Sequence, residues 1–200
     1  MKKFQNLFLK TKSYIKSILF YLKRKDQNSI NKVNLNLGCG REYRDGWINV
    51  DIDNSVRTDI CCDFINLKKH FNNSSIDQIY MIHSISYLNL WESDIFFKDA
   101  YDLLKFGGKL ELEFPDIEKC AKIIVDRTNT EDYIEAVRGI YAFDLEQIKQ
   151  KETYRPYAFG WSGNYMKEIL AKIGFTEISI LNPETHEKRI WRDTRIIAIK

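Results

Sequence analysis

The sequence predicts an α/β fold on a mostly parallel sheet of seven strands, with an antiparallel pair at one edge. Three observations carry this. Residues 33–53 read as strand, glycine turn, short crossover and strand. A helix pattern over residues 91–106 runs into the strand pattern of residues 109–114. A helix over residues 162–173 is followed by two strand patterns, 176–181 and 194–199, close enough to form a hairpin.

The composition, 44% hydrophobic, suffices for one buried core, and there is no repeat or low-complexity tract. The net charge of +3 is unevenly spread. The first 25 residues carry eight Lys/Arg and no acid, leaving 23 bases and 28 acids for the rest. A net-acidic body argues against a nucleic-acid partner. Cys39, Cys61, Cys62 and Cys120 form no C-x-x-C and have no matched histidine spacing, so no metal site is predicted. Thiols that stay reduced fit the cytoplasm.

In residues 1–32, Phe4, Leu7, Phe8, Ile15, Ile18, Leu19 and Leu22 recur at spacings of three and four among lysines. This predicts a basic amphipathic helix followed by the polar linker of residues 26–32. Lysines interrupt the apolar run, so neither a secretion signal nor a membrane span is expected. Two readings stand: a helix lying on anionic lipid through residues 1–25, peripheral at the inner face of the membrane, or a helix packed on the body or over the site as a lid. Residues 33–200 form the predicted domain.

In the first strand, Val33, Leu35 and Leu37 alternate with Asn34 and Asn36, and Gly38-Cys39-Gly40 breaks the run. Glycines after a first strand let a ligand approach backbone N–H groups. The second strand, residues 48–52, ends on Asp51, Ile52 and Asp53. A carboxylate at that tip can accept hydrogen bonds from both hydroxyls of a ribose. A dinucleotide site wants a third glycine where this chain has Tyr43, and no G-x-x-x-x-G-K-[ST] is present. What remains is a cofactor with an adenosine and no phosphate. Only about ten residues join the two strands, too few for a crossover helix. Tyr43 and Trp47 are candidates to cover the sheet in its place.

The stretch LNLGCG…GWINVDI resembles the S-adenosylmethionine (SAM) motif of class I methyltransferases. More closely, it is similar to a group of small bacterial methyltransferase-like proteins associated with surface-polysaccharide assembly. The resemblance runs from Val33 to Lys200, poorly through residues 125–160, and implies a Rossmann-like methyltransferase fold with SAM as cofactor. It assigns Asn36, Gly38, Cys39, Gly40, Asp51 and Ile52 to the cofactor. Residues 58–64 read as a third strand, and by resemblance Asp63 accepts from the adenine amino group while Phe64 packs on the ring. The alternative for Asp63 is a cap on a helix over residues 66–71.

The fourth strand, residues 76–83, ends on His83. The resembling group continues S-H-V-L-E-H; here Ser86 and Tyr87 stand in place of the Glu-His pair. His83 is the first candidate for contact with the methionine end or with the acceptor, as a group that takes a proton near neutral pH. A structural histidine bonded to backbone is the alternative. Gly107-Gly108 are expected to stop the helix of residues 91–106, and the strand of residues 109–114 leads to Pro115-Asp116, a second match to the same group. Asp116 is a candidate to bind a sugar hydroxyl or act as a weak base, or else to cap the helix of residues 117–126.

Residues 129–148 have helical spacing, and residues 153–163, TYRPYAFGWSG, are rich in aromatics. Tyr154, Arg155, Tyr157 and Trp161 are candidates to stack on a sugar or hold a phosphate, or to form an aromatic hinge on the core. His186 lies in the loop between the last two strands. Arg192 and Asp193 read as an internal ion pair.

The resemblance implies methyl transfer to a small acceptor, a hydroxyl of a sugar or nucleotide sugar in surface-glycan biosynthesis. With no N/D-P-P-Y/F after the fourth strand, amino groups of nucleic-acid bases are disfavoured. The rivals are a scaffold of the same fold that has lost turnover, motivated by Ser86-Tyr87, and a lipid-surface adaptor working through its basic helix.

Overall fold

A computed structural model describes residues 32–126, 129–143 and 155–200. The expected N-terminal helix lies outside these residues, as do Tyr154 and the end of the pattern over residues 129–148. Among the described residues no helix is long and apolar enough to cross a membrane.

The strands are β1 (Asn34–Leu37), β2 (Ile48–Asp51), β3 (Ile60–Cys61), β4 (Ile76–Ile82), β5 (Leu104–Pro115), β6 (Thr176–Leu181) and β7 (Asp193–Ile199). They form one sheet in the order β3-β2-β1-β4-β5-β7-β6. Neighbours from β3 through β5 are parallel, and β7 runs antiparallel to both β5 and β6. The predicted mostly parallel sheet with an antiparallel edge is therefore the observed one. Among the described residues four α-helices accompany it: α1 (Leu90–Leu103), α2 (Ile117–Asp126), α3 (Thr130–Tyr141) and α4 (Gly163–Ile173).

The two faces of this sheet differ chemically. Side chains alternate along a strand, and the register aligns Leu35 with Ile48 and Ile79, Leu37 with Val50 and Met81, and these with Leu110 and Leu112. These residues are buried with Phe96, Phe97 and Leu103 of α1 and Met166 and Leu170 of α4. The same registers put Asn36, Asn49, Tyr80, Glu111 and Glu113 on the opposite face. Glu111 and Arg195 of β7 pair there at 2.8 Å. Two loop segments close over this polar face. Residues 41–47 place Arg44 over the Tyr80 ring at 3.7 Å and Trp47 edge-on to it at 5.8 Å. From the other end, the Tyr80 hydroxyl meets Thr185 Oγ1 at 2.8 Å.

The missing crossover helix is replaced by a polar clamp. Buried Asn49 accepts from Arg44 N and from Asn36 Nδ2 and donates to the Arg44 carbonyl and Asp59. Asn36 Nδ2 also donates to the Glu42 carbonyl, and the Tyr43 hydroxyl donates to Asp59. Trp47 covers the sheet as the sequence suggests.

Several boundaries differ from expectation. The third strand is only Ile60–Cys61, because Asp63 starts a 3-10 helix, Phe64–Lys69, by accepting from Ile65 N. Helix α1 starts one residue earlier than expected, where Asn89 and Glu92 form a reciprocal capping box. It stops at Leu103, three residues before Phe106. Gly107-Gly108 do not end it. They lie within β5 at a register shift, where Gly107 takes φ +77° and donates to the Lys200 carbonyl. Helix α3 ends at Ala142, a residue with φ +58°.

Candidate active site

The carboxyl ends of β1, β2 and β4 open into a cleft of about 670 Å³ lined by Gly38, Gly40, Asp51, Ile52, Asp53, Asn54, Phe64, Ser84, Tyr87, Ala142 and Arg155. Such a crevice at the strand ends is where open α/β sheets bind ligands. Its size suits a small-molecule cofactor.

The glycine turn is built around two left-handed residues, Gly38 at φ +66° and Gly40 at φ +49°. Gly38 abuts the end of β4: a Cβ there would fall 2.1 Å from Ser84 Oγ. At Gly40 a Cβ would meet nothing within 4 Å. Gly38 and Cys39 spend their N–H groups on the Val50 carbonyl, which ties the turn to β2. Gly40 N donates to Asp51 Oδ2 at 2.8 Å, and Asp53 N donates to Asp51 Oδ1 at 2.9 Å. Each carboxylate oxygen can accept twice, so Asp51 keeps acceptor capacity on both oxygens. That is what a ribose diol needs. The open space at Gly40 and the Phe64 ring complete a set that fits an adenosine.

Not every residue assigned to the cofactor lines this cleft. Asn36 is buried in the crossover clamp. Cys39 is buried with its thiol toward the Arg57 carbonyl, and burial, followed by Asp51 and Asp59, pushes it up to about 11. Asp63 caps the 3-10 helix. Asn54, Ser84, Tyr87 and Ala142 line the cleft without having been singled out for it. Ser84 is legible in retrospect, because a glycine pressed against another strand end needs a small partner.

Of the aromatic segment, Arg155 lines the cleft. Tyr157 meets Tyr87 edge-on at 4.9 Å. Trp161 is the hinge on the core, fully buried and edge-on to Phe97 at 5.6 Å. The Ser86 carbonyl accepts from Ala158 N and Phe159 N and holds this segment in place.

Asp116 sits at the carboxyl end of β5 as expected, yet its oxygens are occupied. Oδ1 accepts from Glu118 N at 3.0 Å and Lys119 N at 3.4 Å, and Oδ2 from Gly163 N and Thr194 Oγ1, each at 2.9 Å. Capping α2 and joining it to α4 and β7 accounts for these contacts, and Asp116 is absent from the cleft lining.

His83 has φ +52° and directly precedes Ser84 of the cleft. Its Nε2 lies 3.1 Å from Asp193 Oδ2, and its ring is 4.3 Å from that of His186. His186 Nδ1 is 3.1 Å from Glu113 Oε1. Glu113 also accepts from Glu184 N, Thr185 N and His186 N, so it fixes the loop that carries His186. Arg192 grips Asp193 through Nε at 2.6 Å and Nη2 at 3.1 Å, the internal ion pair expected from sequence. Burial pushes the Asp193 carboxyl up, but His83 and Arg192 outweigh it and hold it down to about 2. Burial, followed by His83, pushes the His186 imidazole below its ordinary value. The sequence pointed to His83 and His186 singly. The signal for their partners was a pair of glutamates, Glu111 and Glu113, in the central strand KLELEF, where an acid is buried only with partners.

No protein-family model matches the chain, and no curated protein does. Solved structures share its fold. A SAM-dependent methyltransferase from Archaeoglobus fulgidus superposes with TM-score 0.56 and 15% identity, over 93% of each chain. One from Methanosarcina mazei gives TM-score 0.60 and 17% identity over 86% of this chain and 93% of that one. A Haemonchus contortus phosphoethanolamine N-methyltransferase, solved with SAM, gives TM-score 0.53 and 16% identity. The match covers 91% of this chain and about half, 51%, of that one. The chain therefore has the Rossmann-like fold of class I methyltransferases.

Proposed function

We propose that the chain binds SAM in the cleft over β1, β2 and β4 and transfers its methyl group to a small acceptor. The observation that carries this reading is Asp51, held at the β2 tip by Gly40 N and Asp53 N with acceptor capacity left over. Its carboxylate would receive the ribose hydroxyls, Phe64 would pack on the adenine, and the Gly38–Gly40 turn would let the cofactor approach backbone. The bound cofactor supplies an activated methyl group, so the chain's own contribution is alignment and exclusion of water. His83, beside Ser84 of the cleft, is the residue we place on the acceptor side.

We further propose a hydroxyl of a sugar or nucleotide sugar in surface-glycan assembly as acceptor, in the cytoplasm. Support comes from the resemblance over residues 33–200 and from Arg155 on the cleft wall, a cation suited to a phosphate. The second reading is a scaffold that binds SAM without turnover. Ser86 favours it: where the resembling group has glutamate, this residue is buried and its carbonyl holds residues 158 and 159.

Calorimetric titration with SAM and with its demethylated product tests the cofactor. Micromolar binding lost in Asp51→Ala, followed by turnover in a screen of nucleotide sugars, is the expected result. Absence of binding by either ligand overturns the proposal. Binding without turnover on any acceptor leaves the scaffold.

A further inference from the structure

The His83–Glu113–His186–Asp193 cluster joins the ends of β4, β5 and β7 to one loop. One possible ligand atom from each of the four residues lies within 4.8 Å of all the others. We propose that it is a binding site for a divalent transition-metal ion, zinc foremost, held by His83, His186 and Asp193 with Glu113 orienting His186.

Four features support this. First, the donor set is two imidazoles and a carboxylate, which suits zinc and its neighbours better than magnesium or calcium. Second, the spacing is near what coordination needs. Ligands about 2.0–2.1 Å from a tetrahedral ion stand roughly 3.4 Å apart, and His83 Nε2 and Asp193 Oδ2 are already at 3.1 Å. Third, that contact lacks the alignment of a hydrogen bond: His83 Nε2 is buried with no hydrogen-bond partner. The nitrogen and the carboxylate face each other by charge without an aligned hydrogen bond, so an ion between them can take a ligand atom from each. Fourth, the surrounding shell is in place. Glu113 contacts His186 Nδ1 while anchoring its loop through three backbone N–H groups. Arg192 fixes Asp193 through two further bonds. Carboxylates that orient a ligating histidine in this way are a regular part of metal sites.

Three protein ligands leave a coordination position open, as in sites where a metal meets a substrate. The inference deepens the methyl-transfer reading and rests on it for this last point: the open position would lie on the acceptor side, next to Ser84, where a hydroxyl oxygen of the acceptor can bind.

The test uses the full chain stripped with a chelator and titrated with Zn²⁺ by calorimetry and with Co²⁺ by visible absorption. SAM titration of the same stripped protein is run separately. Expected are one equivalent of Zn²⁺ and d–d bands of a nitrogen- and oxygen-ligated Co²⁺. His186→Ala, in a surface loop, and His83→Ala each weaken binding at least tenfold, and His70→Ala and Cys61→Ser leave it unchanged. The proposal is overturned if the stripped wild type takes up neither ion at one equivalent, or if His186→Ala binds as tightly as wild type. It is equally overturned if Cys61→Ser abolishes uptake. Loss of SAM binding with Zn²⁺ binding intact would strike the methyl-transfer reading alone, and the converse would strike the metal site alone.

Discussion

Replacing Gly38 by alanine tests the architecture of the cleft at its tightest point. The new Cβ would stand 2.1 Å from Ser84 Oγ and 2.6 Å from Ser84 Cβ, at a backbone φ of +66°. The left-handed backbone costs about 1–2 kcal/mol for a residue with a Cβ. Forcing buried Ser84 aside adds about 1–3 kcal/mol, the usual cost of overpacking. The expected total is roughly 2–5 kcal/mol, a large fraction of a domain's stability. Gly40→Ala is the internal control, because its Cβ meets nothing within 4 Å and bears only the backbone strain. Urea unfolding should place Gly38→Ala roughly 1–3 kcal/mol below Gly40→Ala. Placed in a Ser84→Gly background, Gly38→Ala should cost only the backbone strain of about 1–2 kcal/mol. If the two alanine variants unfold at the same urea concentration, or if Ser84→Gly does not shrink the cost of Gly38→Ala, the close approach of β1 and β4 is not what fixes this turn.

Two other perturbations address the shortened crossover and the thiols. Asn49→Ala removes the clamp on residues 41–47, leaves Arg44 N without its acceptor and leaves Asn36 Nδ2 only the Glu42 carbonyl; a loss of about 1–3 kcal/mol is expected in denaturant unfolding, and a loss under about 0.5 kcal/mol would show that the clamp is incidental. Cys61 is the exposed thiol, whereas Cys39 is buried and pushed up to about 11. Because that value lies well above the working pH, Cys39 carries far less thiolate than an ordinary thiol between about pH 7 and 9, and its alkylation in the folded protein should stay much slower than an ordinary thiol's throughout. Mass spectrometry of iodoacetamide-treated protein should show Cys61 modified first, and rapid labelling of Cys39 at pH 8 would contradict its burial.

What the sequence made legible was whatever depends on local pattern. The strands β1, β2 and β4 to β7, the helices, and the place of Asp51 at the β2 tip in the cleft all follow from periodicity, glycine placement and strand tips. The errors lie where tertiary contacts decide. Gly107-Gly108 look like a helix stop, but the chain end pairs with them, through Gly107 N to Lys200 O and Lys200 N to Gly108 O, and draws the segment into the sheet. Asn36 and Cys39 sit within the glycine-turn stretch yet do not line the cleft: Asn36 is tied into the crossover clamp and Cys39 is buried with its thiol toward the Arg57 carbonyl. The histidine cluster was only half legible: its four members span more than a hundred residues, and no spacing rule joins them.

The polar face of the sheet explains how the fold does without its first helix, and it yields a last prediction. A parallel sheet is normally covered on both faces by helices. Here Asn49 at one end and Glu113 at the other satisfy the backbone of two covering loops. Glu113 Oε2 accepts from Glu184 N at 2.9 Å and Thr185 N at 3.0 Å, while Oε1 accepts from His186 N at 3.1 Å. Glu113→Gln keeps the shape but turns one of these acceptor oxygens into a donor NH₂. Whichever way the amide turns, at least one loop N–H loses its partner, at a cost of about 1–3 kcal/mol. Because the loop is at the surface, the cost should appear as local opening rather than global unfolding. Amide exchange at residues 184–186 should speed up by roughly ten- to a hundredfold, while the amides of β4 and α1 keep their wild-type protection. Unchanged exchange at all three loop amides would mean that Glu113 does not hold the loop. The two-ended anchoring of the polar face would then have to be abandoned.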